Sequence, residues 1–224
     1  MQPLRLLIEK PVISDLELIV EEQNLKNPAS YFIQGPYLMY DKPNKNKRQY
    51  SLVEMLNEVG RYTKDFINQG RALGEVNHPS DSTEVDLTRA CHNVIQLEQR
   101  EPNYFWGKSK ILSTPAGLIC RSLLSDGIKL GISSRALGRL VPRGDLNLVE
   151  GFRLLALDVV HEPSVNDAML ESIMESRQYI IDQGGKIVEL ACDSLECKLN
   201  SIPKKDVENY LAESLKSFIN SLKG

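Results

Sequence analysis

Residues 151–160, GFRLLALDVV, alternate so that Phe152, Leu154, Ala156, Asp158 and Val160 share one face. Ten residues of period two predict a β-strand, and four apolar members require that face to be covered by other elements. Residues 128–134 (IKLGISS) repeat the pattern, with Ile128, Leu130, Ile132 and Ser134 on one side and Lys129, Gly131, Ser133 and Arg135 on the other. Further strands are predicted at 4–9 (LRLLIE), at 31–40 (YFIQGPYLMY), as a pair at 92–99 and 104–113, and at 186–191. A chain with this many strands is expected to form a barrel or a strongly curved sheet, and the few helices between them make the class α+β.

The helices are marked by their ends. Ser51 with Glu54 forms a capping box ahead of Leu52, Val53, Leu56, Val59, Phe66 and Ile67, and Gly70 is a plausible stop. Thr114-Pro115 opens a second helix that runs to about Ser125 and ends near Gly127. Residues 166–183 read as an amphipathic helix, and a last helix carries Val207, Leu211, Leu215, Phe218 and Leu222 on one face. Residues 41–50 read as an exposed polar loop, and the connection between the strands at 128–134 and 151–160 contains Gly138, Pro142 and Gly144.

The length of 224 residues is enough to bury a real core. With 27 basic against 30 acidic side chains there is no electrostatic footprint for nucleic acid or an anionic membrane, so neither partner is expected. No apolar run reaches the roughly 18 residues of a membrane span, and the N-terminus lacks the apolar stretch of a signal peptide. Cys91, Cys120, Cys192 and Cys197 lie too far apart for a paired metal or redox motif and are expected to be reduced thiols.

Three positions invite chemistry. Ser133 is expected on the open side of its strand, beside Arg135 and next to Gly131, which leaves room for a close approach; Ser134 is expected to be buried. Asp158 places a carboxylate among apolar neighbours, which costs several kcal/mol unless it is paired. It is either a salt-bridge partner of an arginine such as Arg153 or Arg121, or the acid that orients a catalytic histidine. His78 lies in a polar loop with Asp81, Glu84 and Asp86, readable as a solvated acidic loop or, less naturally, as a metal site. His92 reads as structural, and His161 stays in view as an alternative partner. No Gly-x-Ser-x-Gly elbow, phosphate-binding glycine loop or His-Glu-x-x-His helix is present.

ALGEVNHP (72–79), GISSRALG (131–138) and GFRLLALDVVHEPSVNDA (151–168) together resemble the prohead maturation proteases of T-even-type tailed phages, distant relatives of herpesvirus assemblin. LLIE (6–9) and NKNKRQY (44–50) support the match, which spans roughly residues 4–168 in consistent order. The resemblance implies a serine endopeptidase with an assemblin-like closed β-barrel surrounded by helices: a protease core at 1–165 and a mostly helical C-terminal extension at 166–224. It implies His78 as general base, Ser133 as nucleophile and Asp158, or else His161, as third member. The oxyanion would be held by a backbone N–H near Ser134 and Arg135, helped by Arg135 or Arg139.

No metal or other cofactor is implied. The expected substrates are scaffold or core proteins and the major capsid protein, with self-association inside the prohead in the host cytoplasm. Relatives tend to cut after glutamate in Leu/Ile-x-Glu, which makes IME (173–175), IVE (187–189) and LAE (211–213) candidate self-cleavage sites. The competing class is a non-enzymatic scaffold or capsid-assembly protein that binds through its C-terminal helices; a metallohydrolase centred on His78 is a distant third.

Overall fold

A computed structural model describes residues 4–9, 16–21, 30–77, 82–100, 102–161, 178–182 and 184–189. The elements in chain order are β1 (Leu4–Ile8), β2 (Glu17–Glu21), β3 (Ser30–Met39), β4 (Arg48–Tyr50), α1 (Leu52–Tyr62) with a π-helical turn (Thr63–Ile67), β5 (Leu73–Glu75), β6 (Ala90–Arg100), β7 (Tyr104–Ile111), α2 (Pro115–Ser125), β8 (Gly131–Arg143), β9 (Leu146–Val160), β10 (Gln178–Ile181) and β11 (Ile187–Glu189).

They build two sheets, one ordered β11-β10-β1-β8-β9-β4 and the other β2-β3-β7-β6-β5. The core lies between them, where Leu7, Ile132 and Leu154 of the first meet Ile33, Val94 and Phe105 of the second. The class is α+β, as expected. A closed barrel is not found among the described residues: the one backbone bridge there between the two sheets is a parallel one, between Val76 and Val159.

β8 and β9 form one long hairpin turned at Gly144 and Asp145, with Gly144 at φ +62°. Residues 135–150 are therefore not a mere connection. Gly138 does not break the strand because its missing side chain is where other groups pack. A Cβ there would stand 2.7 Å from Leu7 Cδ1 and 2.8 Å from Val149 Cγ1. Pro142 is tolerated at the exposed tip.

α1 begins where the capping box places it, with the Ser51 hydroxyl accepting the Glu54 N–H at 3.2 Å. Its packed stripe is Met55, Glu58, Val59 and Tyr62, whereas Val53 and Leu56 are exposed. Glu58 turns inward because it has a backbone to serve. Its carboxylate accepts the Leu154 N–H at 2.7 Å while Arg61 donates to the Leu154 carbonyl at 2.9 Å, satisfying the side of β9 turned away from β8, beyond the stretch that β4 pairs. α2 opens at Thr114-Pro115 as read.

Three expectations change. Residues 48–50 are a strand parallel to β9 with Arg48 and Tyr50 buried, not an exposed loop. β2 has no counterpart in the sequence reading. The helix expected over 166–183 cannot reach its end, since residues 178–181 form β10, which pairs with β1. The strand expected at 186–191 is β11; the helix expected beyond 201 lies outside the described residues.

Candidate active site

Alternation along β8 sends the two serines to opposite faces. Ser133 faces the cross-strand Asp158 and shares its side with Arg135, whereas Ser134 is opposite Leu157 and lines a cavity with Tyr37, Met55 and Phe152. The expected open side is not open. Ser133 is 2% exposed because the end of β1 lies over it, and its hydroxyl donates to the Glu9 carbonyl. β1 runs antiparallel beside β8 with Ile8 opposite Arg135, and the Glu9 N–H donates to the Ser134 carbonyl at 2.9 Å. Glu9 thus continues a strand across the serine.

Asp158 is fully buried and does pair with an arginine, but with neither expected one. Arg135 Nε stands 3.2 Å from Asp158 Oδ2, and Arg135 Nη2 is 2.8 Å from Glu75 Oε1. Arg121 instead lies over the Tyr31 ring. The Glu75 N–H donates to Asp158 Oδ1 at 2.9 Å, and Arg89 stands 3.4 Å from the second Glu75 oxygen. Two carboxylates therefore share two guanidinium groups, which is what lets them remain buried.

Arg135 Nη1 donates to the carbonyls of Ser82 and Glu84, both at 3.0 Å. These contacts brace Asp158 and the 82–84 segment through one side chain. Arg139 stands farther from Ser133. It lies six positions along β8, roughly 20 Å at ~3.3 Å per residue, and pairs with Glu150 at 2.8 Å.

His92, on β6, is fully buried with Nε2 2.9 Å from the Leu157 carbonyl. Burial pushes its pKa down to about 4, with the nearby Asp158 charge opposing the shift in part. It is a neutral ring that ties the second sheet to β9. His161 is exposed just past the end of β9.

His78 and Asp81 lie outside the described residues. The backbone leading to them is anchored: Asn77, at φ +58°, donates its N–H to the Val159 carbonyl at 2.8 Å. The Asp86 N–H donates to Glu75 at 3.0 Å, so the acidic loop is bound into the arginine network. No group of three or more His, Cys, Asp and Glu side chains suited to a metal occurs among the described residues. Cys91 and Cys120 are free and buried.

Sequence reasoning gave no role to Glu9 and Glu75. The signal for Glu9 was present, since an acid closes the apolar run LRLLIE and a run of amide and basic residues, NKNKRQY, is available to receive it.

The family described as prohead core protein serine protease matches residues 3–178. The prohead core protein protease of Enterobacteria phage T4 is 29% identical over 154 residues, covering 65% of this chain and 71% of that protein. The solved structure of the bacteriophage T4 capsid assembly protease matches with a TM-score of 0.63 and 27% identity, over 73% of this chain and 100% of that one.

Proposed function

The chain belongs to the prohead core protein serine protease family, whose members act as proteases in phage capsid maturation, and on that premise we propose that Ser133, His78 and Asp158 form its catalytic triad. What supports the reading is one backbone arrangement. Asp158 is the cross-strand partner of Ser133, and Val159, the next residue, accepts the N–H of Asn77, the residue before His78. In the mechanism, His78 takes the Ser133 proton as Oγ attacks the scissile carbonyl, and returns it to the leaving amine when the C–N bond breaks. Asp158, held rigid by Arg135 and the Glu75 N–H, fixes the imidazole tautomer and offsets the imidazolium charge. A backbone N–H near Ser134 and Arg135, helped by Arg135 or Arg139, holds the tetrahedral oxyanion.

The geometry also supports a first substrate. β1 occupies the position of a peptide added as a strand to an enzyme's sheet, with the Glu9 carbonyl at the Ser133 hydroxyl. The bond so presented is Glu9–Lys10, and Leu7-Ile8-Glu9 fits the Leu/Ile-x-Glu pattern. Of the C-terminal candidates, 187–189 lie in β11 at the far edge of the sheet, while 173–175 and 211–213 fall outside the described residues. Self-cleavage after Glu9 is the reading the structure favours, and it explains why Ser133 is covered.

The finer expectations travel with this proposal. They are an assemblin-like barrel, for which the Val76–Val159 bridge speaks, a core at 1–165 with an extension at 166–224, scaffold and major capsid proteins as substrates, and self-association in the prohead. Intact-mass measurement on the incubated full chain tests the core of it. Wild type should lose the segment ending at Glu9, Ser133→Ala should not, and Ser134→Ala should process within about tenfold of wild type. Reversal of the two serine results would overturn the face assignment. A chain that neither processes nor labels with a fluorophosphonate would instead be a scaffold.

A further inference from the structure

We propose that the turn and strand at residues 44–50 form the pocket that selects glutamate on the acyl side of the cleaved bond, with Arg48 and Tyr50 as its specificity-determining residues. The inference rests on Ser133 being the nucleophile and deepens that reading.

Glu9 is a buried carboxylate, only 7% exposed, and its carboxylate partners among the described residues come from one seven-residue segment. Oε1 accepts from the Tyr50 hydroxyl and from Arg48 Nη1 at 3.3 Å; Oε2 accepts from Asn46 Nδ2 at 3.0 Å and from Asn44 Nδ2. Arg48 and Tyr50 are each 4% exposed, so the charge pair is largely out of water. Every one of these contacts is a donor.

The pocket is built independently of what fills it. Asn44 Oδ1 accepts the N–H groups of Asn46 and Arg48, both at 2.9 Å, which leaves its Nδ2 to face the carboxylate. The Asn44 N–H donates to the Arg48 carbonyl at 2.8 Å, and Asn147 donates to the Lys47 carbonyl at 2.8 Å. The Tyr50 ring packs edge-on against Phe152, 4.9 Å between centroids. Burial, with Glu9 beside it, raises the Tyr50 pKa well above the usual value, so the phenol stays a proton donor.

The same groups read the main chain. Asn46 Nδ2 and Arg48 Nη1 reach the Ile8 carbonyl at 3.3 and 3.4 Å, contacts that any strand lying in the place of β1 could make. Only the carboxylate contacts discriminate. Glutamine would turn an NH₂ toward donors and remove the carboxylate charge that faces Arg48, a penalty that buried polar groups make large. Aspartate is one methylene too short to reach all four.

The test compares kcat/KM for a peptide copying residues 4–12, LRLLIEKPV, with that for its Glu→Gln counterpart, using the self-processed full chain. Wild type should favour glutamate by at least about 100-fold. Tyr50→Phe and Arg48→Gln should each lower that ratio at least tenfold. Tyr50→Phe removes one donor and keeps the contact with Phe152, so it carries the test even where Arg48→Gln does not fold. An unchanged ratio in Tyr50→Phe, with only a lowered melting temperature, would show that the segment merely staples β1 in place and would overturn the proposal. Cleavage that survives Ser133→Ala would instead count against the nucleophile itself, so the two failures are distinguishable.

Discussion

Replacing Asp158 by asparagine separates catalysis from architecture, provided that it is read against Glu75→Gln. Both carboxylates are fully buried and both contact Arg135, at 3.2 and 2.8 Å. A charge pair at 3.2 Å is worth about 5 kcal/mol at an effective dielectric of ~20, and removing one partner of a buried pair costs about 3–5 kcal/mol. The amide of Asp158→Asn would keep an oxygen for the Glu75 N–H, and Arg135 would keep Glu75, so the low end, about 3 kcal/mol, is expected for this variant. Glu75→Gln leaves Arg135 with Asp158 and weakens the Arg89 contact, so it should cost a similar amount. The rates should diverge. An acid that orients the imidazole loses on the order of 10⁴-fold when it becomes an amide, whereas Glu75→Gln should stay within about tenfold at a temperature where it is folded. Stability is read by urea unfolding with the fluorescence of Trp106, the single tryptophan, and rate by loss of the segment ending at Glu9. Equal rate losses in the two variants, or an Asp158→Asn rate within tenfold of wild type, would reduce Asp158 to a structural partner of Arg135.

Two other outcomes are expected. His92 has a folded pKa of about 4 against about 6.5 unfolded, so the unfolded chain takes up the proton first as pH falls. Its stabilising contribution is complete above pH 6.5 and declines as pH falls towards 4, by about 2 kcal/mol between pH 7 and 5. Urea midpoints should show that slope and His92→Gln should flatten it; an equally steep slope in the variant would assign it to other groups. His78→Ala should remove processing about as completely as Ser133→Ala, with the double variant no worse, because members of a triad act as one unit. Additive losses would place His78 outside it.

What was legible in the sequence was whatever depended on neighbours along the chain. The caps at Ser51 and Thr114, the hairpin at 92–113, and the opposite facing of Ser133 and Ser134 all follow from local spacing. What was hidden depended on distant partners. Gly138 and Pro142 looked like strand breakers because nothing nearby reveals that Leu7 fills the space above Gly138. NKNKRQY looked like a solvated loop because its polar groups turn inward to an acid some 40 positions away. Asp158 is conspicuous as an acid on an apolar face, but nothing local names Arg135 as its partner. The two share the face that Ser133 occupies, and that shared face was the missed clue. The cover over Ser133 comes from 124 positions earlier, beyond any periodicity argument.

The position of β1 within its sheet gives a cut after Glu9 a second effect. β1 is an interior strand, with β8 on one side and β10 on the other, and β11 reaches the sheet only through β10. Among the described residues, nothing else offers a ladder to the chain at 178–189. Withdrawing the N-terminal strand would therefore unzip the sheet at its middle and cast off its outer third. Tyr179, now buried against Leu6 and Leu137, would lose its packing against Leu6. A single hydrolysis at one end of the polypeptide would loosen the other, so clearing the serine and releasing the C-terminal arm would be one event, not two.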